Sequence, residues 1–255
     1  MMGFNWAIIQ DYLPLFIDGA LMTLKCTVIC VILGILWGLL LGLGRIASAP
    51  HGLPKYLLYF GVQWPVRIYV SAFRGTPLFV QIMVVYFVLM PYLVSPKDGI
   101  LVTSNIISVE TARIMRSQYG AFIASVVAIT LNSGAYVSEI FRAGIQSIDK
   151  GQMEAARSLG MPYGKTMRKV ILPQAFRRML PPLGNNAIAI LKDSSLGAAI
   201  GLADLAFAAR TAGAAYASYD EPYLVISVIY WCMTFILTMI VQQMEKRLGK
   251  SDSHS

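Results

Sequence analysis

Residues 222–244 read PYLVISVIYWCMTFILTMIVQQM, 23 consecutive positions without Asp, Glu, Lys or Arg. As one helix such a run crosses the hydrocarbon core of a bilayer, for which about 20 apolar residues suffice. Three more stretches share the property: residues 26–44, 75–96 and 117–138 are uncharged over 19, 22 and 22 positions. The whole chain of 255 residues is 56% hydrophobic and 13% charged, against roughly a quarter charged in soluble domains. The expected class is an all-α polytopic membrane protein, one transmembrane domain over residues 1–255.

Five spans are expected, at 19–43, 75–95, 118–141, 181–203 and 222–244. The basic residues then sort by side. Segment 44–74 holds Arg45, Lys55, Arg67 and Arg74, segment 142–180 holds eight Lys and Arg, and the C-terminal tail holds Lys246, Arg247 and Lys250, together 15 of the 21 basic residues. The opposite segments, 1–18, 96–117 and 204–221, hold seven acids against four bases. Because cytoplasmic loops are enriched in Lys and Arg, the N-terminus is expected outside and the C-terminus, with the tail 249–255, in the cytoplasm. The net charge of +8 is explained by those loops and requires no nucleic acid.

The opening segment 1–18 mixes Trp6, Tyr12 and Asp11 with apolar residues, the composition of an interfacial helix lying on the membrane. Residues 54–73 are expected as an amphipathic approach to the second span, with Thr76 and Pro77 starting or kinking a helix. In the first span Gly34, Gly38 and Gly42 form a ladder of small residues four apart, which lets a neighbouring helix approach closely. Cys26, Cys30 and Cys232 fall in apolar spans and read as small buried hydrophobes. His51 and His254 lie in a loop and in the tail. No catalytic constellation and no metal-ligand set can be assembled from these residues.

The fourth span is unusually polar. Asn185, Asn186, Lys192, Asp193, Ser194 and Ser195 interrupt residues 181–203, and an ionised group at that depth costs about 2.5–3.5 kcal/mol on insertion scales. Such residues face a partner or a water-filled cavity. Adjacent residues project in different directions, so Lys192 and Asp193 need not pair with each other.

The loop between the third and fourth spans contains LGMPYGKTM, residues 159–167, ending in the Gly-Lys-Thr of a phosphate-binding loop. That motif needs a glycine five positions before the second one, and residue 159 is Leu. Pro162 also removes a backbone N–H from the stretch that would cradle phosphate. The segment reads instead as a short helix. Asp149 can cap it, with Gln152 completing a capping-box pattern. Gly160 fits the position just past its end, and Pro162 prevents continuation. A second, basic helix near 163–178 is expected against the headgroups.

This loop resembles the EAA loop of ABC-importer permease subunits: Glu154, Ala155 and Ala156, three residues, Gly160, nine residues, then Val170, Ile171, Leu172 and Pro173, with Val170 in place of the usual Ile. FRGTPLFVQ at 73–81, TLNSGAYVSEIFR at 130–142 and LKDSSLGAAIG at 191–201 resemble the polar amino-acid uptake subfamily, histidine, glutamate and glutamine types included. The likeness runs from about residue 15 to residue 248, and so covers the five-span core 19–248 with its loop 142–180. It implies a permease subunit of an importer in the bacterial inner membrane. The implied partners are a dimer of a separate ATPase, a second identical or paralogous permease, and a periplasmic or lipid-anchored binding protein. ATP and Mg²⁺ would be bound by the ATPase and no cofactor by this chain.

The resemblance further implies that the helix carrying Gln152, Glu154, Ala155, Ala156, Leu159 and Gly160 is the ATPase contact. A bulky residue at Ala156 is then expected to uncouple transport. A substrate path beside the fourth span implies Asn186, Lys192, Asp193, Ser194 and Ser195, with Asn132 and Ser133 from the third. Glu139 and Arg142, three apart, are expected as a helix pair. An ion-coupled secondary transporter is the alternative, against which stand five spans without an inverted repeat.

Overall fold

The computed structural model describes residues 4–46 and 52–249; His51, His254, Lys250 and the tail from 250 onward lie outside them. The described residues form helices and connecting turns, without strands. The principal elements are α1 (Trp6–Ile46), α2 (Leu53–Gly75), α3 (Leu78–Val94), α4 (Gly120–Gln146), α5 (Lys150–Ser158), α6 (Leu172–Asp193), α7 (Leu205–Tyr216) and α8 (Asp220–Gly249). Two short helices, Ile100–Thr103 and Val109–Ser117, connect α3 to α4.

Helices α1, α4 and α8 are each long and apolar enough to cross a membrane, and α2 with α3 make a fourth candidate if that bent pair is one span. Residues 181–203, expected as the fourth of five crossings, are the end of α6 followed by a 3₁₀ turn, Ser194–Ile200. Their polarity keeps them below the same measure of length and hydropathy.

The opening segment is not a separate interfacial helix. It is continuous with the first span in the 41 residues of α1, about 60 Å at 1.5 Å per residue. Packing explains the continuity. Ile8 and Phe16 are fully buried against Leu205, Ala208, Ala209 and Ala212 of α7 and Ile226 of α8, a contact that a helix lying apart on the membrane would forfeit. The start of α7 is tied to α1 by the Leu205 N–H, which donates to Thr23 Oγ1 at 3.2 Å.

Between α2 and α3 the chain bends by 108°. Thr76 precedes a proline, which disfavours helical backbone, and it is extended (φ −118°, ψ 146°). Gln81 Nε2 donates to the carbonyls of Phe73 at 2.9 Å and Thr76 at 3.1 Å, so the break has its freed acceptors satisfied.

Helix α4 lies at the centre. Cβ atoms added to the α1 glycines would meet it directly: at Gly34, 2.5 Å from Ser133 Oγ; at Gly38, 2.5 Å from Val137 Cβ; at Gly42, 3.1 Å from Phe141 Cβ. The ladder is therefore the seam between α1 and α4. Overpacking such a seam costs roughly 1–3 kcal/mol. Gly38→Leu is expected to lower the thermal midpoint of the detergent-purified protein by several degrees, and Gly42→Ala by much less. Equal midpoints for the two variants would contradict the seam. Cys26 and Cys30 are buried in the same core, whereas Cys232 is exposed on the outward face of α8, against the expectation of three buried thiols.

Candidate functional site: a polar pocket, an arginine cluster and an exposed loop helix

A pocket of about 390 Å³ opens between the α2–α3 bend, α4 and α6, within the size range of small-molecule sites. Thr76, Asn132, Ser133, Tyr136, Asn186 and Asp193 supply its polar lining. The helical register of α4 produces half of it, since positions 132, 133 and 136 fall on one face. Asn132 Nδ2 donates to Gln81 Oε1 at 3.0 Å and to the Phe73 carbonyl at 3.1 Å. Asn186 Nδ2 donates to Ser133 Oγ at 2.9 Å. Thr76 Oγ1 donates to the Ala72 carbonyl and accepts from Gln81. With both amide nitrogens held by the protein, the two asparagines have their carbonyl oxygens left to offer. Together with the half-buried Asp193 carboxyl, these make a wall rich in acceptors.

The structure divides the expected path residues. Asn132, Asn186 and Asp193 line the pocket; Lys192, Ser194 and Ser195 do not. Lys192 is exposed and outside the lining. Ser194 is buried with its hydroxyl on the Leu191 carbonyl at 2.8 Å, and Ser195 bonds the Lys192 carbonyl at 2.7 Å. Both hydroxyls thus serve the turn from α6 into the 3₁₀ segment. Thr76 and Tyr136 line the pocket without having been anticipated. The signal for Tyr136 was the polar stripe 132, 133, 136 and 139 at helical spacing.

One turn beyond Tyr136, Glu139 gathers three arginines from three helices. It accepts from Arg45 Nη1 of α1 at 2.6 Å and from Arg142 three positions on, as expected for that pair, and Arg74 Nη1 of α2 stands 4.0 Å away. A carboxylate within a membrane span is tolerated when it is paired in this way.

The loop helix α5 forms as its sequence predicts, with one change at its start. Asp149 caps it by accepting from the Gly151 N–H at 2.6 Å, rather than from Gln152. At its end Gly160 takes φ +81°, the Gly160 N–H donates to the Arg157 carbonyl and the Met161 N–H to the Ala156 carbonyl. This is the Schellman arrangement, which favours glycine at the left-handed position. Met153 packs against Ile148, Ile171, Ala175 and Met179, and Ala156 is buried. Ala156 therefore faces its own chain, not outward. Gln152, Glu154, Ala155 and Gly160 are exposed, and Leu159 is 85% exposed.

The Gly-Lys-Thr segment is the helical turn Tyr163–Thr166. Thr166 is buried and its hydroxyl is on the Pro162 carbonyl at 3.3 Å. The basic stretch that follows is helical as expected, with Lys165, Arg168, Lys169, Arg177 and Arg178 exposed. It runs through a π turn, Met167–Ile171, into α6, where Pro173 has no N–H to continue regular bonding. Ala175 and Met179 are buried beneath Ile148 and Ile171, which fixes one face of this segment in the core.

Residues 59–250 match the model of the family described as binding-protein-dependent transport system inner membrane component. The chain belongs to this family. It is 37% identical to the arginine transport system permease protein ArtQ of Bacillus subtilis, over 98% of this chain and 100% of the relative. It is 35% identical to the glutamine transport system permease protein GlnP of Escherichia coli K12, over 97% and 99%. Among solved structures, an amino acid ABC transporter crystallised with histidines superposes with a TM-score of 0.79 at 37% identity, covering 96% of this chain and 100% of the other. The chain is accordingly a permease subunit of an ABC amino-acid importer, a non-enzymatic multi-pass protein of the inner membrane. Membership in this class implies an ATPase and a substrate-binding protein as partners.

Proposed function

We propose that the chain forms the path of a basic amino acid, whose cationic groups meet Asp193 and the carbonyl oxygens of Asn132 and Asn186. The observation carrying this reading is the lining of the polar pocket, where Asp193 is the one carboxyl among the lining residues and neither Lys nor Arg stands among them. A pocket of acceptors with one negative charge suits ammonium or guanidinium donors and repels a second carboxylate. The arginine transport permease of Bacillus subtilis and the amino acid transporter crystallised with histidines fit this chemistry.

On this reading the N-terminus lies outside and the loop carrying α5 in the cytoplasm. The exposed surface of α5, with Leu159 at its tip, docks on a separate ATPase, which binds ATP and Mg²⁺. Two ATPases closing on two permeases alternate the access of the pocket, and a periplasmic or lipid-anchored binding protein delivers the amino acid. The complex reconstituted in liposomes with its ATPase and binding protein is expected to take up arginine, lysine or histidine in preference to glutamate and glutamine. Preferred uptake of glutamate would overturn the substrate class. Uptake that persists without ATP and collapses with an ionophore would favour ion coupling instead.

A further inference from the structure

The polar pocket has a neighbour. A second cavity of about 430 Å³ opens on the side of the α5 loop, between α2, α4 and α6. Tyr136 lines both spaces, so one aromatic ring stands where they adjoin. The two differ in charge. The lining of the polar pocket holds no cation, whereas that of the second cavity holds Arg74 and Arg178 along with Glu139. Arg178 is bonded to the Ser147 carbonyl. Arg74 lies with its guanidinium 5.3 Å from the centre of the Tyr136 ring, a cation–π distance. Its separation of 4.0 Å from Glu139 is beyond a hydrogen bond, and Glu139 is already held by Arg45 and Arg142. Arg74 is thus positioned by a ring face with its N–H groups open to another acceptor.

We propose that Arg74 is the residue that receives the carboxylate of the transported amino acid as it passes from the polar pocket into the loop-side cavity, with Tyr136 holding the guanidinium at the passage. An amino acid carries both signs of charge, and the pocket's acceptors answer only the positive one. A planar guanidinium presents paired donors that match a carboxylate. This inference rests on the reading of the pocket as an amino-acid site, and concerns a step after binding there.

The test uses the reconstituted complex and radiolabelled arginine, or the amino acid of highest wild-type uptake. Arg74→Gln is expected to lower the maximal uptake rate about tenfold, the loss of one charge-assisted hydrogen bond. Half-saturation and stimulated ATP hydrolysis are expected to stay within about twofold. Arg74→Lys, which keeps the charge but not the paired donors, should recover part of the rate. Tyr136→Phe, which keeps the ring face, should exceed Tyr136→Leu by a similar factor. Because Glu139 retains two close arginines in every variant, folding is expected to persist, checked by the thermal midpoint. Normal uptake by Arg74→Gln, a loss of ATP hydrolysis matching the loss of uptake, or a Lys variant no better than Gln would each overturn the proposal. A wild-type complex that takes up no amino acid would sink the transport reading itself, and this inference with it.

Discussion

Asp193→Asn is expected to reduce the uptake of a basic amino acid by about thirtyfold or more. Removing one partner of a desolvated charge pair costs about 2–5 kcal/mol, because the other charge is left without its counter-ion, and 1.4 kcal/mol is tenfold. Asparagine keeps the shape of the side chain and one acceptor oxygen, so the fold and the contacts of Asn186 with Ser133 should survive. Lys192→Gln is the internal comparison. Lys192 is next in sequence but exposed and absent from the pocket lining, and its replacement should leave uptake within about twofold, the scale of a surface change. Initial rates over a concentration series separate the two variants. Unimpaired uptake by Asp193→Asn, or equal losses in both, would remove Asp193 from the path.

The same pair of residues shows what was legible in the sequence. Four uncharged runs announced the membrane, and the polar interruption at 185–195 located the segment beside the pocket. Sequence could not tell Asp193 from Lys192, Ser194 and Ser195. Which of four adjacent side chains enters a cavity depends on the phase at which α6 tightens into the 3₁₀ turn, and that is fixed by packing against α4 rather than by composition. Gly34, Gly38 and Gly42 were legible as a seam because small residues at a spacing of four have one common use, although the partner helix was not. Asp149 and Gly160 marked both ends of α5 because caps are local chemistry. By contrast, the union of residues 6–18 with the first span turned on the burial of Ile8 and Phe16. Those are tertiary contacts that composition alone cannot separate from an interfacial helix. Arg74 and Arg45 reach Glu139 from distant parts of the chain, and no spacing rule connects them.

Leu159→Asp is expected to abolish ATP-driven uptake, with the thermal midpoint of the isolated permease unchanged. The two halves of that expectation have separate causes. Leu159 is 85% exposed, so in the permease alone an aspartate there displaces no packing. Its backbone closes α5 at the C-cap, where neither side chain is strained (φ −81°, ψ 11°). If the tip of α5 is buried in an ATPase groove, full burial of a leucine contributes about 1.5–3 kcal/mol, and a charge put in its place must be desolvated without a partner. Two permeases in a complex incur that penalty twice. Ala156→Trp should behave differently. Ala156 is buried, so an indole there levers α5 away from Ile148 and Ile171, lowering both the thermal midpoint and uptake. Co-purification of the ATPase with each variant, alongside the midpoint of the permease alone, tells the contact from the support. Full transport by Leu159→Asp would show that the exposed tip of α5 is not where work is received.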